Sequence, residues 1–413
     1  MGNAFFLKEI SSIIDKMKKL SDVWLKASVV GSLWATFEIV VGSFFHNLRF
    51  PMAGTILAMI SVIVMVAFHR HWKQKGLLWR AGLICALMKS ISPSYVLLGP
   101  MSGIFFEALM LEFGIAVLGA NLSGFCLGGA LGLLSTLVHK VFSLLILYGF
   151  DIVIIYKNLF YFITKQINIE NANLWTLVII IIVFYILIGV LAALIGLSIG
   201  KRTKKLKSDK KDFKIDRKKN IEVFNLNDDQ IFNKALLILH LIMIPFGLIL
   251  INYVYLYISL PLIFTYLLFC SIYYKNSLRR LKKPIFWVQF IIIIVIATIF
   301  WKGFNLSEGI FDIQGLIIGL KMNLRAIFII ITFSSLCVEL RNPLIKAFLF
   351  KKGFRNLYLA LTLSFSALPI MMAAMPKPLA FLKNPFKTFA KINLQADEWL
   401  NYLRQNPKIN QIK

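Results

Sequence analysis

Ionisable and polar residues interrupt the apolar sequence between Lys89 and Glu107, within the stretch KSISPSYVLLGPMSGIFFE. Lys89 stands ten residues before the Gly99-Pro100 turn, and Glu107 stands seven residues after it. At a helical rise of about 1.5 Å per residue, both side chains reach a similar depth, about 10–15 Å from the turn. Charges at that depth in lipid are costly and commonly face a cavity or each other. The pattern therefore predicts a substrate pocket or a structural Lys89–Glu107 pair, and both can hold together.

Further polar residues add to this candidate site. Pro93 stands between Ser92 and Ser94, where it frees backbone groups that can line a pocket. Glu38 on the first apolar segment and Asn121 are weaker candidates. The candidate substrate-binding residues are therefore Lys89, Ser92, Ser94, Glu107, Glu38 and Asn121.

The sequence contains no pattern that indicates metal binding or ATP hydrolysis. Five histidines and four cysteines are scattered without metal-ligand spacing, and the cysteines lie in apolar runs. No GxxxxGK[ST] motif is present, so we do not expect the chain to hydrolyse ATP. The sequence predicts no catalytic residues, no bound metal and no cofactor, and hence not an enzyme.

The composition predicts an all-α, polytopic membrane protein. Of 413 residues 59% are hydrophobic, mean hydropathy is +0.77, and apolar runs near twenty residues recur. The net charge of +27 is concentrated between these runs, as expected for loops that stay in the cytoplasm. The lipid bilayer is therefore the expected partner, and nucleic acid is not.

Ten spans are predicted, arranged as a bundle of six and a bundle of four. They cover about 24–45, 51–68, 77–98, 101–119, 122–148, 175–199, 235–252, 253–274, 285–301 and 315–338. Four regions follow from them: an amphipathic helix in 1–22, the six-span unit in 23–200, a basic linker in 201–230, and a second unit in 231–413. Segment 151–166 is predicted as an interfacial helix. Both termini are predicted to be cytoplasmic in the cell (inner) membrane.

The region from about 339 to 391 is predicted to form amphipathic helices on the cytoplasmic face. Charged residues there alternate with apolar ones, which is the pattern of a helix lying in the interface. Earlier, on the first span, Ala27, Gly31 and Ala35 form a small-residue stripe that lets another helix approach closely.

The second unit resembles the membrane-embedded T component of energy-coupling factor transporters. The resemblance rests on Arg325, Pro343, Gly353 and the Ala-Leu-Pro sequence at 367–369, and it covers roughly 232–389. The six-span first unit resembles the substrate-binding S component by its architecture and its small-residue stripe. Arginine-centred motifs of the T component are absent after Pro369, where lysines stand instead.

The resemblance implies an importer subunit that takes up a vitamin-like or other small molecule and is powered by cytoplasmic ATPases of the ABC type. Ala27, Gly31 and Ala35 would then dock the two units. The candidate residues for coupling to the ATPases are Arg341, Arg355, Lys377, Lys383 and Lys387. Two alternatives stay open: a membrane scaffold or regulator that does not transport, and a carrier driven by an ion gradient.

Overall fold

The computed structural model describes residues 20–47, 52–89, 98–168, 173–206, 234–275, 278, 281, 284–303, 311–339, 354–374 and 385–405. These ranges form thirteen α-helices. In chain order they are α1 (Asp22–Asn47), α2 (Ala53–Trp72), α3 (Leu77–Lys89), α4 (Leu98–Leu118), α5 (Leu122–Tyr148), α6 (Asp151–Gln166), α7 (Leu174–Leu206), α8 (Lys234–Tyr253), α9 (Leu256–Tyr273), α10 (Pro284–Phe300), α11 (Ile313–Glu339), α12 (Arg355–Ala374) and α13 (Pro385–Gln405).

Seven of these helices are long and apolar enough to cross a membrane: α1, α2, α4, α5, α7, α8 and α11. Helices α9 and α10 are apolar but shorter, and the described part of α3 has 13 residues. Many large apolar side chains on α5, α7, α8 and α9 are exposed, as expected for surfaces that face lipid. The all-α fold is confirmed, and the protein is a multi-pass membrane protein on these criteria.

Helices α1 to α5 and α7 form the first bundle, and close approach between them depends on small residues. A Cβ atom at Gly129 of α5 would lie 2.4 Å from the carbonyl oxygen of Gly189 on α7. One at Gly128 would lie 2.5 Å from the carbonyl oxygen of Leu111 on α4. Larger side chains at these crossings would force the helices apart, so the glycines fix the packing of α5 between α4 and α7.

Helices α8 to α11 form a second group, in which α11 packs against α8, α9 and α10. Gly315 and Gly319 bring α11 close to α10, since a Cβ at Gly315 would lie 2.6 Å from the carbonyl oxygen of Ala297. Phe328 is fully buried and packs against Tyr266 of α9 with the two rings tilted by 48° and their centroids 5.9 Å apart. Helix α11 therefore lies in the middle of the second group.

The two parts of the chain are packed together by the last two helices. Helix α12 lies mainly along α1, while α13 crosses α7, α1 and α2. Side chains from both helices enter the same buried apolar cluster as the first bundle. Two further contacts link the parts, α5 with α11 and α6 with α10. In the α6–α10 contact, the Asn158 amide donates to the carbonyl oxygens of Phe300 (2.8 Å) and Trp301 (2.9 Å).

Each of the ten predicted spans overlaps one of the helices α1 to α5 and α7 to α11, although residues 90–97 of the third lie outside the described residues. Seven of the ten are long and apolar enough to cross a membrane. The helix predicted over 151–166 is also found, with the same bounds. The amphipathic N-terminal helix and most of the linker, including 207–233, lie outside the described residues.

Candidate functional site

The Lys89 ammonium and the Glu38 carboxylate form an ion pair between the end of α3 and the second half of α1. Nζ of Lys89 lies 3.3 Å from Oε2 of Glu38 and donates to the Glu38 carbonyl oxygen at 3.0 Å. Only 12% of the Lys89 side chain and 10% of the Glu38 side chain are exposed. The predicted pairing of Lys89 with Glu107 was therefore wrong: the acid that neutralises Lys89 comes from α1.

Glu107 lies close to this pair without joining it. The residue is 4% exposed, and its buried Oε1 atom has no hydrogen-bond partner in the described part of the chain. Gly132 of α5 makes room beside it, because a Cβ there would lie 3.8 Å from Cγ of Glu107. A buried carboxyl oxygen without a partner is costly, and a bound ligand that donates a hydrogen bond would remove that cost.

A second polar group lies at the same end of the first bundle. Lys140 of α5 donates to the hydroxyl of Thr55 on α2 (2.7 Å) and to that of Tyr185 on α7 (3.1 Å). Next to it on α5, the His139 ring bonds to the hydroxyl of Ser102 on α4 at 2.9 Å. These residues were not predicted as site residues from the sequence. The signal available was a lysine within a long apolar helix that contains no acid.

Two of the other predicted binding residues, Ser92 and Ser94, lie outside the described residues. Asn121 lies at the opposite end of the bundle from Lys89, at the turn between α4 and α5. Its side-chain oxygen caps α5 by accepting from the Gly124 N–H at 2.8 Å. Because α4 ends at Leu118, eleven residues after Glu107, about 16 Å of helix separates Glu107 from the turn that holds Asn121. The structure therefore gives Asn121 a capping role and does not bring it to the Lys89 cluster.

The small-residue stripe on α1 is buried, and its middle member faces α3. Ala27 and Ala35 are fully buried, and a Cβ at Gly31 would lie 2.8 Å from the carbonyl oxygen of Ala81 on α3. Helix α12 meets α1 at Ser28, whose carbonyl oxygen accepts from the Ser364 hydroxyl at 3.2 Å. The docking role of the stripe stays a prediction, and the hydrogen bond from α12 to α1 is made at Ser28, not at a member of the stripe.

Helix α13 is held at the Asn121 end of the first bundle by polar and aromatic contacts. The Asp397 carboxylate lies 2.9 Å from Nε2 of His71 and accepts from the indole N–H of Trp72 at 3.0 Å. Phe389 stacks on Phe37 of α1 with ring centroids 5.6 Å apart. These contacts place α13 across the ends of α2 and α7, with its apolar side buried.

Two of the predicted coupling residues lie on α12 and α13. Arg355 is the first residue of α12, and the backbone of Lys387 lies in the first turn of α13. Arg341, Lys377 and Lys383 lie outside the described residues.

A buried hydrogen-bond chain ends at the last residue of α11, next to the predicted coupling region. Nδ1 of His240 on α8 lies 2.7 Å from the Tyr266 hydroxyl, and Nε2 lies 2.9 Å from the Tyr274 hydroxyl. Tyr274 donates to Oε1 of Glu339 at 2.7 Å. All four residues are buried, so their hydrogen bonds are shielded from water. The chain connects α8, α9 and the segment after α9 to the point where α11 ends.

Among the described residues, no group of three or more His, Cys, Asp or Glu side chains lies close enough together to hold a metal ion. In comparisons with known proteins, no family model, no curated protein and no solved structure matches the chain.

Proposed function

We propose that the chain is the membrane permease of an importer of the energy-coupling factor type. In this proposal residues 23–200 bind a small solute, residues 231–413 couple to cytoplasmic ABC-type ATPases, and the basic linker joins the two. The clusters of Lys and Arg between the helices favour a bacterial inner-membrane orientation with both termini in the cytoplasm. Labelling of cysteines introduced at Lys210 and Lys408 tests that orientation, and labelling of either from the periplasm would contradict it.

The observation that carries the proposal is the packing of α12 and α13 on the first bundle. Helix α12 lies within the predicted coupling region and α13 begins within it, yet the buried side chains of both helices belong to the apolar core of the first bundle. Ser364 contacts α1, and Asp397 contacts the end of α2. A movement imposed on these helices would therefore act directly on the helices that carry Glu38 and Lys89.

The proposed mechanism follows from where the buried charged residues and the last two helices lie in the first bundle. A solute binds near the Glu38–Lys89 pair and supplies a hydrogen-bond donor to the unpartnered oxygen of Glu107. ATP binding and hydrolysis on the partner subunits move α12 and α13, which pack on α1, α2 and α7. The first bundle tilts as one body because its glycine-packed helices α4, α5 and α7 fit closely, and the solute is released on the other side.

Glu107 also favours a second candidate, a carrier driven by a proton gradient. A buried carboxyl group without a fixed partner can bind and release a proton during transport. The third reading, a scaffold that does not transport, draws on the absence of arginine-centred motifs after Pro369.

Purification of the tagged chain from its own membranes tests the proposal. We expect ABC-type ATPase subunits to co-purify with the full chain. A matched variant with Lys377, Lys383 and Lys387 all replaced by Glu should lose them while keeping its fold and its bound solute. Recovery of a solute-loaded chain without any ATPase would favour the carrier instead.

A further inference from the structure

Lys140, Thr55 and Tyr185 form a compact polar group where α2, α5 and α7 meet. Nζ of Lys140 lies 2.7 Å from Oγ1 of Thr55 and 3.1 Å from the Tyr185 hydroxyl oxygen. The two hydroxyl oxygens are 3.1 Å apart. Thr55 is 3% exposed and Tyr185 is 5% exposed, so the hydroxyls are held inside the bundle. The Lys140 side chain, in contrast, is only half-buried.

In the described part of the chain, the positive charge of Lys140 has no acidic partner. None of the three helices that form the group contains Asp or Glu. No ion pair involving Lys140 is present among the described residues. On the neighbouring helix α4, Glu112 accepts from the backbone N–H groups of Gly76 and Trp79, near the other end of the bundle.

The remaining contacts of Lys140 are neutral. Its Nζ lies 5.6 Å from the centroid of the Tyr185 ring, which adds a cation–π contact. Such a contact and two hydroxyl acceptors stabilise an ammonium group but leave its charge uncompensated. Lysines within membrane-spanning helices usually pair with another ionisable residue or with backbone carbonyl groups, and among the described residues Lys140 bonds only to hydroxyl groups.

The hydrogen bonds within the group leave some N–H and O–H donors unused, and none of the acceptors in these bonds is acidic. An ammonium has three N–H donors, and two of them point to Thr55 and Tyr185. Each hydroxyl accepts from Lys140, and one of the two can donate to the other. One ammonium N–H and one hydroxyl O–H therefore remain for an external partner. A group that only accepts hydrogen bonds and carries negative charge satisfies both.

We infer that Lys140, Thr55 and Tyr185 form an anion-binding subsite that takes a carboxylate or phosphate group, from a small solute or from a lipid headgroup. The claim that the anionic group belongs to the transported solute rests on the proposed function. The claim that this subsite binds an anion does not.

The position of the subsite on α5 defines the solute further. Gly132, which packs beside Glu107, precedes Lys140 by eight residues on the same helix, so about 12 Å separates them along the axis. A solute that occupies both places carries an acidic group at one end and a hydrogen-bond donor within about 12 Å of it.

The test uses the full-length chain in nanodiscs made only of phosphatidylcholine, titrated with acetate and with inorganic phosphate at constant ionic strength. Because a ligand that binds the folded state stabilises it by mass action, the apparent Tm of the wild type should rise and then saturate. Lys140→Met should abolish the rise, and Lys140→Arg should retain most of it. Lys157→Met, which removes an exposed lysine of α6, should respond like the wild type.

Tyr185→Phe keeps the ring and removes the hydroxyl, so it tests the subsite even if Lys140→Met fails to fold. We expect at least a threefold higher half-saturating anion concentration in this variant. A wild-type chain whose Tm does not respond saturably to any anion, or a Lys140→Met variant that responds like the wild type, would overturn the inference.

A parallel set of nanodiscs distinguishes the sources of the anion. If the group belongs to a lipid, phosphatidylglycerol should raise the Tm in the absence of soluble anions, and Lys140→Met should lose that rise. If it belongs to a solute, only the soluble anions should act. Failure of ATP-driven uptake with an intact anion response would contradict the proposed function and leave the subsite standing.

Discussion

At the scale of single residues, the partner of Lys89 depends on which way side chains point. Glu38 and Glu107 are both compatible with Lys89 by depth along their helices. Depth follows from the sequence, but the rotation of each helix about its axis depends on packing against its neighbours. Gly42 illustrates this, because a Cβ there would lie 3.9 Å from Nζ of Lys89 and thus marks the face of α1 that meets α3.

Replacement of Glu38 by Gln should destabilise the protein, because the buried Lys89 ammonium loses its charge partner. Removing one member of a buried ion pair costs roughly 3–5 kcal/mol of unfolding free energy. Thermal unfolding in detergent measures the loss, with Lys89→Met/Glu38→Gln as the matched double variant. Recovery of most of the stability in the double variant is expected. Equal stability of Glu38→Gln and wild type would contradict the pair.

Replacement of Glu107 by Gln should leave the stability nearly unchanged and weaken solute binding. Its Oε1 atom has no partner, and Lys89 is already neutralised by Glu38, so unfolding should change by less than about 1 kcal/mol. Retention of the co-purified solute, measured by mass spectrometry, should instead fall at least tenfold. Full retention in Glu107→Gln would remove this residue from the binding site.

At the scale of elements, the end of α11 is fixed by side chains from distant parts of the chain. His240, Tyr274 and Glu339 are spread over about a hundred residues, and no motif joins them in the sequence. The sequence analysis predicted the helices concerned but not this hydrogen-bond chain, because hydrogen-bond partners between helices depend on their relative positions.

Tyr274→Phe should loosen this end of α11. The change removes the hydroxyl that joins His240 to Glu339 and leaves a buried ring nitrogen without that partner, at a cost of about 1–3 kcal/mol. Hydrogen exchange of the last turns of α11, followed by mass spectrometry, should become faster. The adjacent Tyr273 is exposed, so Tyr273→Phe serves as the control. Equal exchange in both variants would exclude a positioning role for Tyr274.

The contact of α12 with α1 can be tested in a chain divided within the basic linker and co-expressed as two parts. Ser364→Phe places a large ring where Ser364 now meets Ser28, and overpacking there costs about 1–3 kcal/mol. Co-purification of the two parts should therefore fall about tenfold. Asn356→Phe, at an exposed position of α12, should leave it unchanged. A similar yield with both variants would show that α12 does not hold the parts together.

At the scale of the whole molecule, the hydrophobic segments were predictable and their arrangement was not. All ten predicted spans overlap helices, and seven of these helices are long and apolar enough to cross a membrane, because apolar runs of this length have few alternatives in lipid. The packing of α12 and α13 into the core of the first bundle could not be read from their sequences. Their partners lie more than three hundred residues earlier, as the Asp397–His71 contact shows. The Lys140 group was not predicted either, because its three members lie on different helices and meet only through the packing of those helices.

The central claim is that ATP hydrolysis by partner subunits drives solute movement through this chain. The most direct measurement is uptake into proteoliposomes that contain the chain and its co-purified ATPases, with the solute identified by mass spectrometry of the purified protein. The account predicts accumulation that requires ATP and the ATPases and persists when an ionophore removes the proton gradient. Accumulation without ATPases that the same ionophore abolishes would contradict it.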